Sequence, residues 1–564
     1  MDQRVSDGGE AVLQGIRDLG CEYIISSPGS DWGPLWEALG RQKISNTPGP
    51  VYLSCGHETL AVDIAVGYTM MTGRMQAVVL HAGVGLLQGS VGIHGARLNE
   101  IPMVILSGES LSFGDDESFD PGAQWYANHN NMGGLPRLID PLVKWANQAN
   151  SITNAYEMIV RAGDMAQQSP IGPTYISVPV EVMMARWPQP PKMRKSIAAP
   201  ITRPSDRDIE AAAKMIAQAK NPVITAGAAG RTKEGYELLV QLAELGGIAV
   251  VEGGEATNFP KNHPLYQGME SKTLLRDADV AIAIRSRNPW YPPNMGPING
   301  KAIIIDDAPL KIFMGYQNLQ ADVFLSGDSN ETLRLLIEAL KAEKPDASKV
   351  KERTAKWAAA HETAQQKKKA AEADAMSKSG ITPVALATTL AQALPANSIY
   401  LDETTLHSGI NRRHLGNQGP QSYIAPRSGL GQGMGISAGV KLARRDQPVT
   451  LLVGDGAFLY NPTVQTLGFC RDEKLPIMSV IYNNKGYRAM RENQRSYYPK
   501  GVGEQHKLFY GEPTNEFAYE DIAKLFGGHG AKVSQLKDLK PTLQKAAEAV
   551  ASGKSAVVNV ELID

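Results

Sequence analysis

The feature that most constrains this chain is a strand, helix, strand pattern between Val449 and Tyr487. Its first apolar run, Val449 to Val453, has the length of a strand and stops at Gly454-Asp455-Gly456, which predicts a turn. Its second apolar run, Ile477 to Tyr482, stops at Asn483-Asn484-Lys485-Gly486. This spacing predicts a βαβ unit with two parallel strands joined by a crossover helix.

The crossover helix should begin near Asn461-Pro462, with asparagine as the N-cap and proline at the first helical position. Because both strands are parallel, Asp455 and the Asn483-Asn484 pair should lie at the same carboxyl edge of the sheet. Carboxylate and amide oxygens suit Mg²⁺, which keeps diphosphate oxygens in its coordination shell. A single Gly-Asp-Gly is more often an ordinary turn, but 26 residues separate Gly456 from Asn483, with a strand on each side, and this favours a metal-diphosphate site.

Composition indicates a soluble globular protein of several domains. The chain has 564 residues, of which 43% are hydrophobic and 20% charged, and this length suggests about three or four domains. Its net charge of −1 gives no electrostatic footprint for nucleic acid or an anionic membrane. Three cysteines without metal-site spacing favour a reducing compartment. The polar N-terminus and the lack of a membrane-spanning apolar run make cytoplasmic localisation the expectation.

Strands and helices alternate along most of the chain, which predicts an α/β fold with three doubly wound parallel-sheet domains. We place an N-terminal domain at 1–185, a proline-rich linker at 186–205, a middle domain at 206–341 and a C-terminal domain at 381–564. Between the last two, residues 342–380 are rich in Ala, Lys and Glu and suit an exposed helical connector.

Two local features leave alternatives open. Glu58 begins a run to Gly73 that is apolar around most of its circumference, which predicts a buried helix. Its carboxylate is either a partner of the helix dipole or a catalytic acid. In the middle domain, Ala226 to Gly230 is rich in glycine but lacks the full GxGxxG pattern and a suitably placed acid, so we interpret it as an ordinary turn.

Five further features accompany the predicted diphosphate unit. They are SPGS at 27–30, Glu58, HAGVG at 81–85, PLVKW at 141–145 and SGLGQGMGISAGVKLA at 428–443. With them, nearly the whole chain resembles the decarboxylase and acetolactate synthase superfamily of thiamin diphosphate enzymes, and its pattern is most similar to that of the benzoylformate decarboxylases.

The resemblance implies thiamin diphosphate and magnesium as cofactors. Glu58 would then hydrogen-bond the aminopyrimidine ring nitrogen, and the backbone carbonyl of Ser428 would orient the exocyclic amine. Leu430 would be the apolar wedge that bends the cofactor. His81 would transfer protons, and Ser30 would bind the substrate carboxylate.

At the diphosphate end, the resemblance implies that Asp455, Asn484 and the carbonyl of Gly486 hold magnesium. Thr404 and Thr405 would donate hydrogen bonds to diphosphate oxygens. The other cofactor-binding residues that it implies are Gly454, Gly456, Ala457 and Tyr487. Ala457 departs from the pattern, which usually has serine there. FAD is not indicated, although the sequence leaves open whether the middle domain binds FAD or another nucleotide.

The implied reaction is non-oxidative decarboxylation of a 2-oxo acid to an aldehyde through an enamine intermediate. The alternatives are carboligation or an acyloin-type lyase reaction, as in enzymes like acetolactate synthase, and a non-catalytic subunit that binds thiamin diphosphate, which the presence of Glu58 opposes. The expected partner is a small-molecule substrate, with no nucleic acid or membrane. Glu58 and Asp455 belong to different α/β domains, so the resemblance implies a homodimer as the minimum and a homotetramer as the assembly.

Several departures bear on the substrate. The second active-site histidine of the benzoylformate enzymes has no counterpart in RSRNPWYPPN at 285–294, and Asn493 stands where they have an aromatic pocket residue. The segment 491–513 resembles an elaborated aromatic lid. An aryl or bulky substrate is favoured by a set of aromatic residues, namely Trp32, Trp290, Tyr291, Tyr497 and Tyr498.

Overall fold

Three parallel β-sheets, each accompanied by helices, make up the fold of this chain. The computed structural model describes residues 6–109, 132–190, 192–194, 196–269, 272–315, 317, 319–427 and 429–563. The predicted class, α/β with three parallel-sheet domains, is confirmed. Within the described ranges, no helix combines the length and the apolar character needed to cross a membrane.

The first sheet has six parallel strands in the order β2-β1-β3-β4-β6-β5. They are β1 (Tyr23–Ser26), β2 (Val51–Ser54), β3 (Gln76–Leu80), β4 (Met103–Glu109), β5 (Trp145–Gln148) and β6 (Pro173–Pro179). Because the strand order reverses between β1 and β3, a crevice opens there at the carboxyl edge, where α/β proteins bind ligands.

Seven helices belong to the described part of this N-terminal region. They are α1 (Gly8–Asp18), α2 (Gly33–Ile44), α3 (Glu58–Thr72), α4 (Gly83–Leu98), α5 (Leu135–Ile139), α6 (Ile152–Gln167) and α7 (Val180–Met184). Helix α3 is buried from Thr59 to Thr69, as its apolar circumference predicts, and Glu58 is its first residue.

The middle sheet has five parallel strands in the order β11-β10-β9-β7-β8. They are β7 (Pro222–Ala226), β8 (Ala249–Glu252), β9 (Val280–Ile284), β10 (Lys301–Asp306) and β11 (Val323–Ser326). Its helices are α8 (Asp206–Gln218), α9 (Lys233–Gly246), α10 (Lys272–Arg276) and α11 (Ser329–Ala342). The predicted connector contains a long helix, α12 (Ala347–Met376).

The glycine-rich turn after β7 packs against the chain itself. A Cβ at Gly227 would lie 3.0 Å from Ser286 Cα, and one at Gly230 would lie 2.7 Å from Asn258 Cα. The Asn258 side chain also donates a hydrogen bond to the Gly227 carbonyl at 3.1 Å. These glycines therefore serve close packing within the chain.

The third sheet has six parallel strands in the order β13-β12-β14-β15-β17-β16. They are β12 (Ile399–Glu403), β13 (Tyr423–Ile424), β14 (Val449–Gly454), β15 (Met478–Asn483), β16 (His529–Val533) and β17 (Ala556–Glu561). The opening prediction of parallel β14 and β15 is confirmed. The strand order reverses between β12 and β14, which opens a second crevice at a carboxyl edge.

The remaining helices lie in the C-terminal part of the sequence. They are α13 (Pro383–Ala393), α14 (Ser408–His414), α15 (Gly433–Ala443), α16 (Asp455–Tyr460), α17 (Thr463–Asp472), α18 (Arg488–Tyr497), α19 (Val502–His506), α20 (Asp521–Lys524) and α21 (Leu536–Ala551).

Two details of the predicted βαβ unit are wrong. Gly454-Asp455-Gly456 is not a turn, because β14 ends at Gly454 and α16 begins at Asp455. Pro462 is the N-cap of α17 instead of its first helical residue. The Asn461 side chain accepts a hydrogen bond from the Met434 amide at 2.8 Å, so it braces α15 instead of capping α17.

The chain forms two compact units. The first comprises Met1–Pro200, Arg427–Asp446 and Phe458–Ile477, and the second comprises Ile201–Pro426, Gln447–Ala457 and Met478–Asp564. Within the first unit, α3 and α15 approach closely: a Cβ at Gly67 would lie 2.8 Å from the Val440 amide. Side chains larger than glycine would separate these two helices.

Candidate active site

In the first unit, the crevice between β1 and β3 brings an aspartate and a histidine together. The chain leaves β1 through Pro28 and Gly29 into one turn of 3₁₀-helix that contains Ser30 and Asp31. His81 follows β3 directly, and its Nδ1 lies 2.7 Å from Asp31 Oδ1. The Asp31 carboxylate is fully buried, whereas the His81 side chain is 20% exposed and Ser30 is exposed.

This contact fixes the chemistry of His81. An ionised carboxylate can only accept, so Nδ1 of His81 carries the hydrogen and donates it to Asp31, which fixes the orientation of the ring and of its Nε2. The hydrogen bond to Asp31 raises the pKa of His81 above its usual value, burial opposes this shift, and the charges of Asp31 and Glu58 add to it. A larger fraction of His81 is therefore protonated near neutral pH than of an ordinary histidine.

Glu58 lies beside His81. A methyl group at Gly85 would sit 2.9 Å from His81 Cβ and 3.2 Å from Glu58 Oε1, so both side chains flank this glycine of α4. The Glu58 side chain is partly exposed, and no hydrogen bond joins its carboxylate to another residue in the described ranges. The structure therefore brings Ser30, His81 and Glu58 together at one edge, with a carboxylate available to a ligand.

The loop before α15 carries the two other residues predicted for this end of the cofactor. Leu430 is 42% exposed in the first unit, and a Cβ at the neighbouring Gly429 would lie 3.7 Å from Val91 Cγ1 on α4. Ser428 lies outside the described residues. Leu430 thus presents apolar surface, as an apolar wedge requires.

The aromatic residues expected near the substrate have different surroundings. Trp32 is fully buried in the core of the first sheet, and its Nε1 donates to the Leu80 carbonyl at 2.7 Å. Its expected contribution to a substrate pocket is therefore wrong. Trp290 packs against the middle-domain core, whereas Tyr291, Tyr497 and Tyr498 are exposed.

In the second unit, Asp455 lies where β14 meets α16 and is 2% exposed. The Gly486 amide donates to its Oδ2 at 2.9 Å. Burial raises the pKa of Asp455, and hydrogen bonds from backbone amides, including those of Gly456 and Gly486, oppose this shift. A cation beside the carboxylate would favour its charged form.

The two asparagines after β15 have opposite environments. Asn483 accepts from the Lys485 amide at 3.0 Å and donates to Asn559 Oδ1 at 3.1 Å, so both ends of its side chain are used within the protein. Asn484 Oδ1 is buried without a hydrogen-bond partner. Because an unpaired buried acceptor is costly, this oxygen is the one that a ligand or cation would satisfy.

Gly486 closes this loop in a conformation that favours glycine. Its φ is 157°, and a Cβ there would lie 2.7 Å from the Glu512 carbonyl oxygen. Its own carbonyl accepts from the Arg488 amide at 2.9 Å, and the next residue, Tyr487, donates to the Glu512 carbonyl at 2.7 Å. The backbone near Asp455 is thus held firmly.

After β12, the two predicted threonines differ. The Thr404 amide and hydroxyl both donate to Asp402 Oδ1, at 2.7 and 2.6 Å, so both hydrogen-bond donors of Thr404 are used within the protein. Thr405 is exposed. Of the pair, Thr405 is therefore the one whose hydroxyl can turn toward a ligand.

Sequence reasoning missed His407, which caps α14 at the same edge. Its ring stacks on Tyr482 with centroids 5.7 Å apart, and its buried Nε2 has no hydrogen-bond partner. Burial lowers the pKa of His407, so the neutral ring can donate an Nε2 hydrogen to an anion. The signal in the sequence was its place shortly after Thr404 and Thr405.

Helices α18 and α19 make a charged hairpin after Tyr487. Arg491 pairs with Glu512 at 2.8 Å and Arg495 pairs with Glu504 at 2.6 Å. No residue of α18 is buried, Asn493 is exposed, and so is Tyr510. The predicted lid is thus a hairpin held by ion pairs, with its tyrosines Tyr497, Tyr498 and Tyr510 exposed and Phe509 half-buried against Arg495.

The residues of the second crevice fit a diphosphate-bound Mg²⁺. They offer one buried carboxylate, one unpaired amide oxygen and a backbone carbonyl, which are the hard oxygen donors that Mg²⁺ prefers. A Cβ at Gly454 would meet nothing within 4 Å, so there is open space beside the donors. Across the described residues, no group of three or more His, Cys, Asp or Glu side chains could hold a metal alone. Phosphate oxygens and water would complete the shell, as is usual for Mg²⁺.

Both crevices lie at switch points of parallel sheets, and their side chains are typical of an α/β enzyme that uses an anionic, metal-bound ligand. Three family models match the chain. They are the N-terminal TPP binding domain of thiamine pyrophosphate enzymes at residues 6–118, the central domain at 209–336 and the C-terminal TPP binding domain at 403–560. The chain belongs to the thiamine pyrophosphate enzymes.

Relatives within this family carry different activities in their names. The acetolactate synthase large subunit of Corynebacterium glutamicum is 25% identical, over 96% of this chain and 84% of its own length. A probable 2-ketoarginine decarboxylase of Pseudomonas aeruginosa is 24% identical, over 99% of this chain and 94% of its own length. The structure of a 4-hydroxybenzoylformate decarboxylase from Rhodococcus jostii shares the fold, with 20% identity, 99% coverage of both chains and a TM-score of 0.78.

Proposed function

We propose that this protein is a thiamin diphosphate- and Mg²⁺-dependent decarboxylase that converts a 2-oxo acid to an aldehyde and carbon dioxide. The observation that carries the proposal is the contact of His81 with buried Asp31 beside Glu58. A decarboxylase must supply a proton to the carbon that loses its carboxylate, and a histidine with a raised pKa suits this role.

Bound thiamin diphosphate supplies a thiazolium ring that accepts the electrons of the broken carbon–carbon bond. Asp455, Asn484 and the Gly486 carbonyl would hold Mg²⁺, and Thr405 and His407 would donate to phosphate oxygens. Glu58 would hydrogen-bond the aminopyrimidine ring through its unpaired carboxylate. The open side of Gly454 leaves room for the diphosphate.

The substrate would lie against the first crevice. The exposed hydroxyl of Ser30 can donate to the substrate carboxylate, and Nε2 of His81 is directed by the Nδ1 contact to Asp31. We propose an aryl or bulky 2-oxo acid as the substrate, because Tyr497 and Tyr498 on the hairpin are exposed aromatic side chains that could contact it.

The test is a panel of aliphatic and aryl 2-oxo acids, incubated with the protein, thiamin diphosphate and Mg²⁺ while carbon dioxide and aldehyde are measured. We expect Glu58→Gln to lose at least about 100-fold in kcat, because general acid–base groups contribute about 10²–10⁴-fold. Glu37→Gln is the matched control, since Glu37 is exposed on α2. Full activity in Glu58→Gln would refute the mechanism.

Carboligation is the second candidate, favoured by the acetolactate synthase match over 96% of this chain. In that case a second carbonyl compound would take the place of the proton from His81. The product would be an acyloin or a 2-hydroxy-3-oxo acid of acetolactate type. An acyloin without aldehyde would support this candidate over decarboxylation. His81→Ala would then retain its activity.

We also propose that two chains form the smallest active assembly, with Glu58 from one subunit and Asp455 from the other serving the same cofactor. Members of this family are typically oligomeric, and a homotetramer built from two dimers is the assembly we expect. Light scattering coupled to size exclusion measures it: a monomer with full activity would contradict the proposal.

A further inference from the structure

We propose that Asp31 is a positioning residue for the proposed reaction: it holds His81 through Nδ1, so that Nε2 presents a proton to the carbon that has lost carbon dioxide. This inference rests on the proposed function. Nothing in the sequence motifs singles out Asp31, and the structure places it against His81 because β1 and β3 are neighbours in the sheet.

Burial of the Asp31 carboxylate costs free energy that only partners for its oxygens can offset. Asp31 Oδ1 faces His81 Nδ1 at 2.7 Å, but Oδ2 is buried without a hydrogen-bond partner. Asp164, by contrast, is a buried aspartate with both oxygens satisfied, by Ser196 at 2.8 Å and Arg194 at 3.0 Å. Burying a carboxylate with one unpaired oxygen lowers the stability of the fold. We attribute the presence of Asp31 to its contact with His81.

Two glycines leave space for the pair of side chains. A Cβ at Gly29 would collide with His81 Nδ1 and Asp31 Oδ1, and a Cβ at Gly108 would collide with Asp31 Oδ2. The φ of Gly29 is −124°, which other residues adopt readily, so its backbone conformation does not require glycine. Glycine at this position makes room for the contact between the two side chains.

A neighbouring hydrogen bond fixes both Asp31 and His81 in place. Trp32, the residue after Asp31, donates through Nε1 to the carbonyl of Leu80, the residue before His81. Trp32 is fully buried, so this bond is shielded from water. It holds the 3₁₀ turn and the end of β3 together, with the carboxylate and the imidazole side by side.

Other charged groups around the pair act in the same direction. Glu58 on α3 is the other described acid whose charge raises the pKa of His81. The charges of Asp31 and Glu109 both act on Tyr175 of β6, and burial raises the pKa of Tyr175 so that it stays neutral. Among the described residues, the acids that act on His81 favour its protonated form, and burial opposes it.

In the proposed step, the Nε2–H bond of His81 breaks and a C–H bond forms at the carbon that carried the carboxylate. His81 becomes neutral and recovers a proton from water, so that one 2-oxo acid anion and one proton give one aldehyde and one carbon dioxide. Asp31 keeps its charge throughout and favours the imidazolium before the transfer.

The first test does not depend on activity. Diethylpyrocarbonate modifies neutral histidine, so mapping the modified peptides by mass spectrometry against pH gives the pKa of His81, whose side chain is 20% exposed. We expect a midpoint above 6.5 in the wild-type protein. In Asp31→Asn it should fall by about one unit or more, the size of effect that a close opposite charge produces. Exposed His94 on α4 is the internal reference, and its reactivity should not change.

A second variant keeps the test valid if Asp31→Asn does not fold. Gly29→Ala retains both charges but forces the pair apart, and it should lower the midpoint of His81 in the same direction. The wild-type titration is itself decisive: a midpoint below 6.5, or no shift in either variant, would overturn the proposal.

Activity provides the link to the reaction. If His81 acts protonated, kcat falls as pH rises through its pKa, and in Asp31→Asn this decline should begin at a pH about one unit lower, with KM changed far less than kcat. Asp164→Asn is the control for removing a buried carboxylate and should keep the wild-type profile. If the His81 midpoint shifts in Asp31→Asn but the wild-type protein decarboxylates no 2-oxo acid, the proposed function alone is rejected. If the protein decarboxylates and the pH profile of kcat is unshifted in Asp31→Asn, the role of Asp31 is rejected.

Discussion

Replacing each of the two neighbouring asparagines after β15 by alanine should have opposite consequences. Asn483→Ala removes two hydrogen bonds and leaves the Lys485 amide and Asn559 Oδ1 without this partner. The Lys485 amide also donates to Asp455, so the buried Asn559 Oδ1 is the group left unsatisfied. At about 1–3 kcal/mol for such a group, the apo-protein should lose about 1–3 kcal/mol of unfolding free energy. Asn484→Ala removes an oxygen that already has no partner, so its apo-protein should change by less than about 1 kcal/mol or gain stability.

Cofactor binding should reverse this order. Thiamin diphosphate and Mg²⁺ at 100 times their Kd stabilise a protein by about 2.7 kcal/mol. Losing an outer-shell partner of a metal ligand typically weakens binding about 10–100-fold, and losing a ligand oxygen should weaken it at least as much. A hundredfold loss in Asn484→Ala would reduce the stabilisation to about 0.4 kcal/mol, whereas Asn483→Ala should retain most of it if its loop stays folded.

The assay is urea unfolding of both variants and the wild-type protein, first in EDTA without cofactor and then with thiamin diphosphate and Mg²⁺ at fixed concentrations. The reasoning would be refuted if Asn484→Ala destabilised the apo-protein as much as Asn483→Ala and still showed the full gain with cofactor. In that case Asn484 would be an ordinary structural residue of the loop.

Three other predictions follow from the same site. His407→Phe keeps the stack on Tyr482 and removes the unpaired nitrogen, so half-saturation should require more thiamin diphosphate while apo stability in urea stays unchanged. Gly486→Ala should destabilise the protein by about 1–3 kcal/mol in urea titrations, because the φ of 157° and the nearby carbonyl of Glu512 exclude a Cβ. The control is Gly40→Ala, because a Cβ at Gly40 meets nothing within 4 Å. Inactive Glu58→Gln and Asp455→Ala chains, mixed after partial unfolding, should recover about a quarter of wild-type activity if two subunits share each site. Half of the dimers are then mixed, and each mixed dimer has one intact site of two. No recovery of activity would contradict the shared site.

The sequence allowed the fold class to be predicted because strand-length apolar runs and glycine turns alternate along it. The predicted runs Val449 to Val453 and Ile477 to Tyr482 lie within one residue of the observed β14 and β15, because both runs are buried along almost their whole length. The start of α3 at Glu58 was likewise visible in its continuous apolar run.

The partner of His81 could not be predicted, because Asp31 is 50 residues away and only the order of β1 and β3 in the sheet brings them together. Nor could the sequence distinguish the roles of Asn483 and Asn484. Consecutive side chains at the end of a strand point in different directions, and Asn483 finds partners within the protein whereas Asn484 Oδ1 finds none. Trp32 was misjudged for a similar reason: an aromatic residue beside a binding loop can equally be its buried support.

The central claim is that this thiamine pyrophosphate enzyme ends its reaction with a proton transfer that releases an aldehyde. The most direct measurement is the ratio of carbon dioxide to aldehyde formed from the best 2-oxo acid of the panel, with thiamin diphosphate and Mg²⁺ present. The account predicts one carbon dioxide and one aldehyde for each 2-oxo acid consumed. One carbon dioxide for every two 2-oxo acids, without aldehyde, would show carboligation and contradict it.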